Sequence, residues 1–113
     1  MSNNLFEKAD LVVREMYKIT LSLKQIYQFS VGEQLRRASL SVVLNIVEGG
    51  ARRSHKEKLQ LLSVSFGSLK ECKYLLYFMF KLGLLDKKTY ESIMIRINEL
   101  ARIIYSILYK NKK

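Results

Sequence analysis

No proline occurs in the 113 residues, and only 5 are glycine. The chain therefore lacks the punctuation that short strands and tight turns demand. Apolar residues recur instead at spacings of three and four, the period of one helical face. Leu5, Ala9, Val12, Met16, Ile19, Leu23 and Ile26 form the first such stripe and predict a helix over about Leu5–Tyr27. Ser30-Val31-Gly32-Glu33 reads as a capping box opening a second helix, in which Leu35, Ala38, Val42 and Ile46 line one stripe and Leu40, Val43 and Val47 a neighbouring one. Gly49-Gly50 should end it in the left-handed conformation. A further box, Ser54-His55-Lys56-Glu57, opens a third helix that runs through Leu62, Leu69, Leu76 and Phe80 to Gly83. Asp86 caps a fourth, with Ile93, Ile97, Leu100, Ile104 and Leu108 inward.

Connections this short force neighbouring helices to run antiparallel, so the expected fold is all-α, an up-and-down four-helix bundle in which residues 1–113 form one domain. Several faces carry more apolar surface than one bundle core can use: the second stripe of helix two, the run from Tyr74 to Phe80, and the line Met94, Ala101, Tyr105 and Tyr109. That excess points to a homo-oligomer.

Lys and Arg number 20 against 10 Asp and Glu, a formal charge of +10. Such a surface favours polyanions, RNA or DNA first, through long-range attraction and counterion release. The longest uncharged runs, Ala38–Val47 and Leu59–Leu69, are about half the roughly 20 residues that cross a bilayer, and the charges are spread over all four helices, so no membrane association is expected. The start of the chain lacks the basic and apolar regions of a signal peptide, and Cys72 has no second cysteine to pair with. Both features point to a reducing cytoplasmic location.

Catalysis has little to work with. His55 is the single histidine, Cys72 lies among leucines, and no glycine-rich phosphate loop or metal-ligand spacing occurs, so no catalytic residue, metal or cofactor is expected. The basic cluster Arg52, Arg53, Lys56 and Lys58 surrounds a helix N-terminus, where backbone amides and the helix dipole also attract phosphate. A second cluster of candidate phosphate contacts, Lys110, Lys112 and Lys113, forms the tail. The tyrosines at 74, 77, 90, 105 and 109 fall within amphipathic helices and read as core or interface residues.

Gln34, Arg37, Ser41, Asn45 and Glu48 recur at spacings of three and four and make a polar stripe along an apolar helix. It reads as a buried network, in which Ser68 and Glu71 of the third helix help to satisfy Arg37 and Glu48. Gly67-Ser68 would let another backbone approach. If that pair were fully desolvated, Glu48→Ala would cost about 3 to 5 kcal/mol.

The segments Glu33-Gln34-Leu35-Arg36-Arg37-Ala38-Ser39, Asn45-Ile46-Val47-Glu48-Gly49, Arg52-Arg53-Ser54 and Gly67-Ser68-Leu69-Lys70-Glu71, in this order, resemble the S23-like proteins encoded by intervening sequences in bacterial 23S ribosomal RNA genes. Where many relatives carry proline, this chain has Ser30 and Val43-Leu44. The resemblance implies a bacterial, homopentameric ring of four-helix bundles with no assigned catalytic activity. It extends distantly to the accessory variability protein of diversity-generating retroelements, a basic pentamer that binds a reverse transcriptase and RNA. The function expected is thus a non-enzymatic, basic nucleic-acid-binding accessory protein that contacts structured RNA through phosphates. The alternative is a scaffold that docks a protein such as a reverse transcriptase.

Overall fold

A computed structural model describes residues 2–110. Four long helices, α1 (Ser2–Leu21), α3 (Val31–Gly50), α4 (His55–Lys81) and α5 (Lys87–Tyr105), alternate in direction around one apolar core, and a single turn, α2 (Gln25–Gln28), lies between α1 and α3. The described residues contain no strand. The particle measures 44 × 23 × 20 Å, its long axis close to the roughly 40 Å that the 27 residues of α4 span.

Each predicted stripe supplies the core, except that Ile26, expected on the first stripe, lies in α2 beyond the end of α1 and is 77% exposed. Met16 of α1, Leu35 and Val42 of α3, Leu69 and Leu76 of α4, and Ile97 and Ile104 of α5 are essentially inaccessible. The close seam lies between α3 and α4. There the buried Ser65 hydroxyl donates to the Val42 carbonyl at 2.7 Å, and the Ser41 and Ser68 hydroxyls share a 2.7 Å hydrogen bond. Small hydroxyl side chains let the two backbones approach while their polar atoms stay satisfied. Gly67 takes no part, because a side chain there would meet open space.

Three of the expected helix boundaries hold. Ser54 accepts from the Glu57 amide at 3.3 Å, Asp86 accepts from the Thr89 amide at 2.7 Å, and Gly83 adopts φ +80° after α4. Others need correction. The first helix ends at Leu21, not near Tyr27, because hydroxyls compete for its last carbonyls: Thr20 donates to Tyr17 O at 2.6 Å and Ser22 to Ile19 O at 2.8 Å. Ser30 does not form the predicted box; its hydroxyl turns back to Tyr27 O, and Glu33 pairs with Arg37 instead. Gly49 and Gly50 remain right-handed and continue the helix, with Ala51 closing it. At the other end of the chain α5 widens into a π-turn over Ser106–Lys110.

The polar stripe also divides. Only Ser41, Asn45 and Ser68 come together, with the Asn45 amide donating to Ser41 O at 2.8 Å. Gln34, Glu48 and Glu71 stand exposed on the protomer, and the Arg37 side chain, 72% exposed, meets Glu33 at 3.2 Å. The expected burial of Arg37 against Glu48 is therefore wrong within the bundle. The arginine one residue earlier takes the structural part. Arg36 donates to the Gln28 side chain at 3.0 Å and to its carbonyl at 2.7 Å, while the Gln28 amide reaches Thr20 O and Leu23 O, both at 2.8 Å. This relay satisfies carbonyls left open by the end of α1 and ties α1, α2 and α3 together.

The excess apolar stripes split in the same way. Val43 is buried, whereas Leu40, Leu44 and Val47 stay from 41% to 55% exposed on the outer face of α3. Arg36→Ala should cost about 1.5 to 3 kcal/mol in urea denaturation, as expected for hydrogen bonds to a charged group. Arg37→Ala, which removes an exposed ion pair, and Glu48→Ala, an exposed residue, should each cost less than about 0.5 kcal/mol.

Cys72 lies at the centre of the core, and its burial, with the Glu71 charge adding to the effect, pushes the thiol up to about 12. An unfolded cysteine loses its proton near about 8.5. The thiol's contribution to stability is thus complete below that pH and is lost as pH rises through about 12. Ellman's reagent at about pH 8 should label Cys72 in urea and leave the native protein unlabelled.

Candidate nucleic-acid interface

The α3–α4 turn, residues 51–54, folds back tightly because the amides of Ala51 and Arg52 still bond to Glu48 O and Gly49 O at 3.1 and 3.2 Å. Ser54 then caps α4, and the Lys58 amide closes the first helical bond on Ser54 O at 3.0 Å. This geometry fans Arg52, Arg53, Lys56 and Lys58 around the α4 N-terminus, all exposed. Glu57 is the acid within the cluster, and its backbone amide is committed to the cap. None of the four cations makes an ion pair among the described residues. The carboxylates at 10, 15, 33, 91 and 99 are engaged elsewhere, on α1, the start of α3, and α5. The turn is consequently a local positive surface beside helix amides, an arrangement suited to phosphate.

Next to the turn the bundle ends in a cavity of about 640 Å3 that touches all four long helices. Leu5, Ile46, Leu62 and Ile103 give it apolar walls, and His55 and Lys58 are among its lining residues. Lys110 lines a different groove, with Phe66 and Lys70 of α4, and Lys112 and Lys113 lie outside the described residues.

Tyr90 stacks on Phe80 with ring centroids 4.3 Å apart and is partly buried. Tyr74, Tyr77, Tyr105 and Tyr109 are instead exposed on the protomer. Helical spacing places them beside the core stripes, and the neighbouring helices leave these border positions uncovered.

Among the described residues no group of three or more His, Cys, Asp or Glu side chains could hold a metal, and no helix is long and apolar enough to cross a membrane. No curated protein matches the chain. Among solved structures it is similar to a protein of unknown function from the S23 ribosomal protein family of Bacteroides thetaiotaomicron, with a TM-score of 0.79 and 22% identity over 96% of this chain and 97% of the other. That likeness supports the helical-bundle architecture, and the descriptions of the family and of this neighbour name no enzymatic activity. The model of the 23S rRNA-intervening sequence proteins matches residues 1–106, and the chain belongs to that family.

Proposed function

We propose that this protein is a non-enzymatic, homo-oligomeric accessory protein of the cytoplasm that binds structured RNA through its phosphates. The observation that carries this reading is the exposed cluster Arg52, Arg53, Lys56 and Lys58, which has no ion pair among the described residues and surrounds the capped N-terminus of α4. Four cations fanned over one turn suit a curved phosphate backbone and supply no base reading of their own. Duplex DNA would satisfy the same contacts in part. Family membership is consistent with an RNA partner.

Self-association is the second element of the proposal. Leu40, Leu44 and Val47 form an exposed stripe along α3, and Val64 and Tyr74 of α4 add to the apolar surface of the protomer. Burying such a stripe gains about 25 cal/mol per Å2, and closed rotational symmetry lets every subunit use the same patches. We propose a ring of five, in keeping with the expectation for this family. Each ring would gather several copies of the basic turn, so weak phosphate contacts would act together.

The same apolar surface favours one other reading, a scaffold that docks a protein such as a reverse transcriptase, with nucleic acid as a secondary contact. The two diverge in salt dependence. Phosphate contacts lose about 0.9 in log-log slope per neutralised phosphate on a duplex and about 0.7 on a single strand, whereas an apolar docking surface gains or holds affinity.

Binding of a labelled RNA hairpin should fall steeply with added salt, and Arg52→Gln with Arg53→Gln should flatten the slope by about one to two. Salt-insensitive binding, or none at low salt, rejects the RNA reading. Light scattering should give about five times the 13.2 kDa chain mass. A mass near 13.2 kDa rejects self-association, and a dimer or tetramer rejects the ring of five. Leu44→Lys should shift the population toward the single chain by placing a charge in the α3 stripe.

A further inference from the structure

A second surface, away from the α3–α4 turn, combines cations and aromatic rings. Between α4 and the end of α5 runs a groove of about 440 Å3, lined by Phe66, Lys70, Asn98, Arg102, Tyr105 and Lys110 among others. Its rings form a row: Phe66 and Tyr105 have centroids 6.2 Å apart, and Tyr105 and Tyr109 4.7 Å. The π-turn at Ser106–Lys110 carries Tyr109 into contact with Tyr105. Tyr105 remains 51% exposed, a costly position for an aromatic ring with nothing to cover it.

The charges around this row are of one sign. Lys70 Nζ lies 5.3 Å from the Phe66 centroid, and Lys70, Arg102 and Lys110 make no ion pair among the described residues. No Asp or Glu lines the groove. The Asn98 side chain makes no hydrogen bond among the described residues and is available to a ligand's polar edge.

We infer that this groove binds an unpaired stretch of RNA, with a base stacked on Tyr105 and the flanking phosphates held by Lys70, Arg102 and Lys110. This inference rests on the nucleic-acid reading above and specifies the form of the ligand. A duplex presents phosphates to the cations but keeps its bases stacked on one another, leaving the exposed ring without a partner. An anionic lipid would use the charges and an apolar wall, yet the groove offers aromatic faces and an amide instead of an aliphatic slot. Only an unpaired nucleotide uses the rings, the cations and the amide together. The turn and the groove then divide the work, one contacting the paired backbone and the other the adjoining single strand.

The test uses the full chain with two labelled probes, an oligouridylate and an RNA hairpin of equal phosphate number, followed by anisotropy at fixed salt. Tyr105→Ala should weaken oligouridylate binding by about tenfold, the scale of one lost base stack, and lower the ratio of single-strand to hairpin affinity. Tyr105→Leu, which keeps apolar contact with Phe66 but has no aromatic face, should do the same and guards against a folding defect. Arg102→Gln should reduce the salt slope on oligouridylate by about 0.7. The chain has 7 tyrosines and no tryptophan, so quenching of tyrosine emission by oligouridylate should report stacking directly and should shrink in Tyr105→Leu.

Unchanged oligouridylate affinity in both Tyr105 variants, with hairpin binding lost in the Arg52→Gln, Arg53→Gln protein, overturns the groove and leaves the turn standing. A change of oligomer mass in the Tyr105 variants with RNA binding intact assigns the ring row to a subunit contact and likewise overturns it. Failure of the unaltered protein to bind either probe at low salt rejects both readings.

Discussion

The close approach of α3 and α4 is the constraint on which the rest of the molecule depends. It is fixed by small hydroxyl side chains inside the seam, with Ser65 donating to Val42 O and Ser41 bonded to Ser68, each at 2.7 Å. Larger side chains there would separate the helices; apolar ones of equal size would leave the Val42 carbonyl without this partner. These bonds hold α3 against α4, while the ends of the two helices and the turn that displays Arg52, Arg53, Lys56 and Lys58 are set locally, by the Ala51 and Arg52 amides and the Ser54 cap.

A second tie closes the opposite end of the bundle. Arg36 holds Gln28 through two hydrogen bonds, and Gln28 covers the carbonyls of Thr20 and Leu23. The chain thereby leaves α1, makes one turn of α2 and enters α3 without proline. The end carrying the α3–α4 turn has no comparable plug, and the core opens there into the cavity between the four helices. The molecule is closed where its loops are apolar and open where they are basic.

Charge is distributed by the same packing. The ion pairs on α1, the start of α3, and α5 add little to stability, since exposed pairs are worth at most about 1 kcal/mol. Their effect is to commit five carboxylates to cations that belong neither to the turn nor to the α4–α5 groove. The net charge of +10 comes from basic residues along the whole chain, and the cations of the turn and of the groove are among those without an ion pair in the described residues.

Helix content, the caps at Ser54 and Asp86, the left-handed Gly83 and the identity of the core stripes are determined by the sequence alone, because each depends on spacing or on contacts within one turn. The cluster from Arg52 to Lys58 is equally legible, since a turn cannot bury four cations. The break after Leu21 was not legible: the stripe continues through Leu23, and it is the Thr20 and Ser22 hydroxyls on the last carbonyls, with the bonds from Gln28 to Thr20 and Leu23, that settle the chain into a separate turn. Arg36 and Arg37 show the limit most clearly. They are neighbours about 100° apart around a helix, and either could face inward at the edge of an apolar stripe. Tertiary packing turned Arg36 toward Gln28 and left Arg37 with Glu33, and the packing of α5 on α4 left Tyr105 exposed beside Lys70 and Arg102. Periodicity defines a face to within one residue on each side; which of those border residues is buried is decided by the neighbouring helix that covers it.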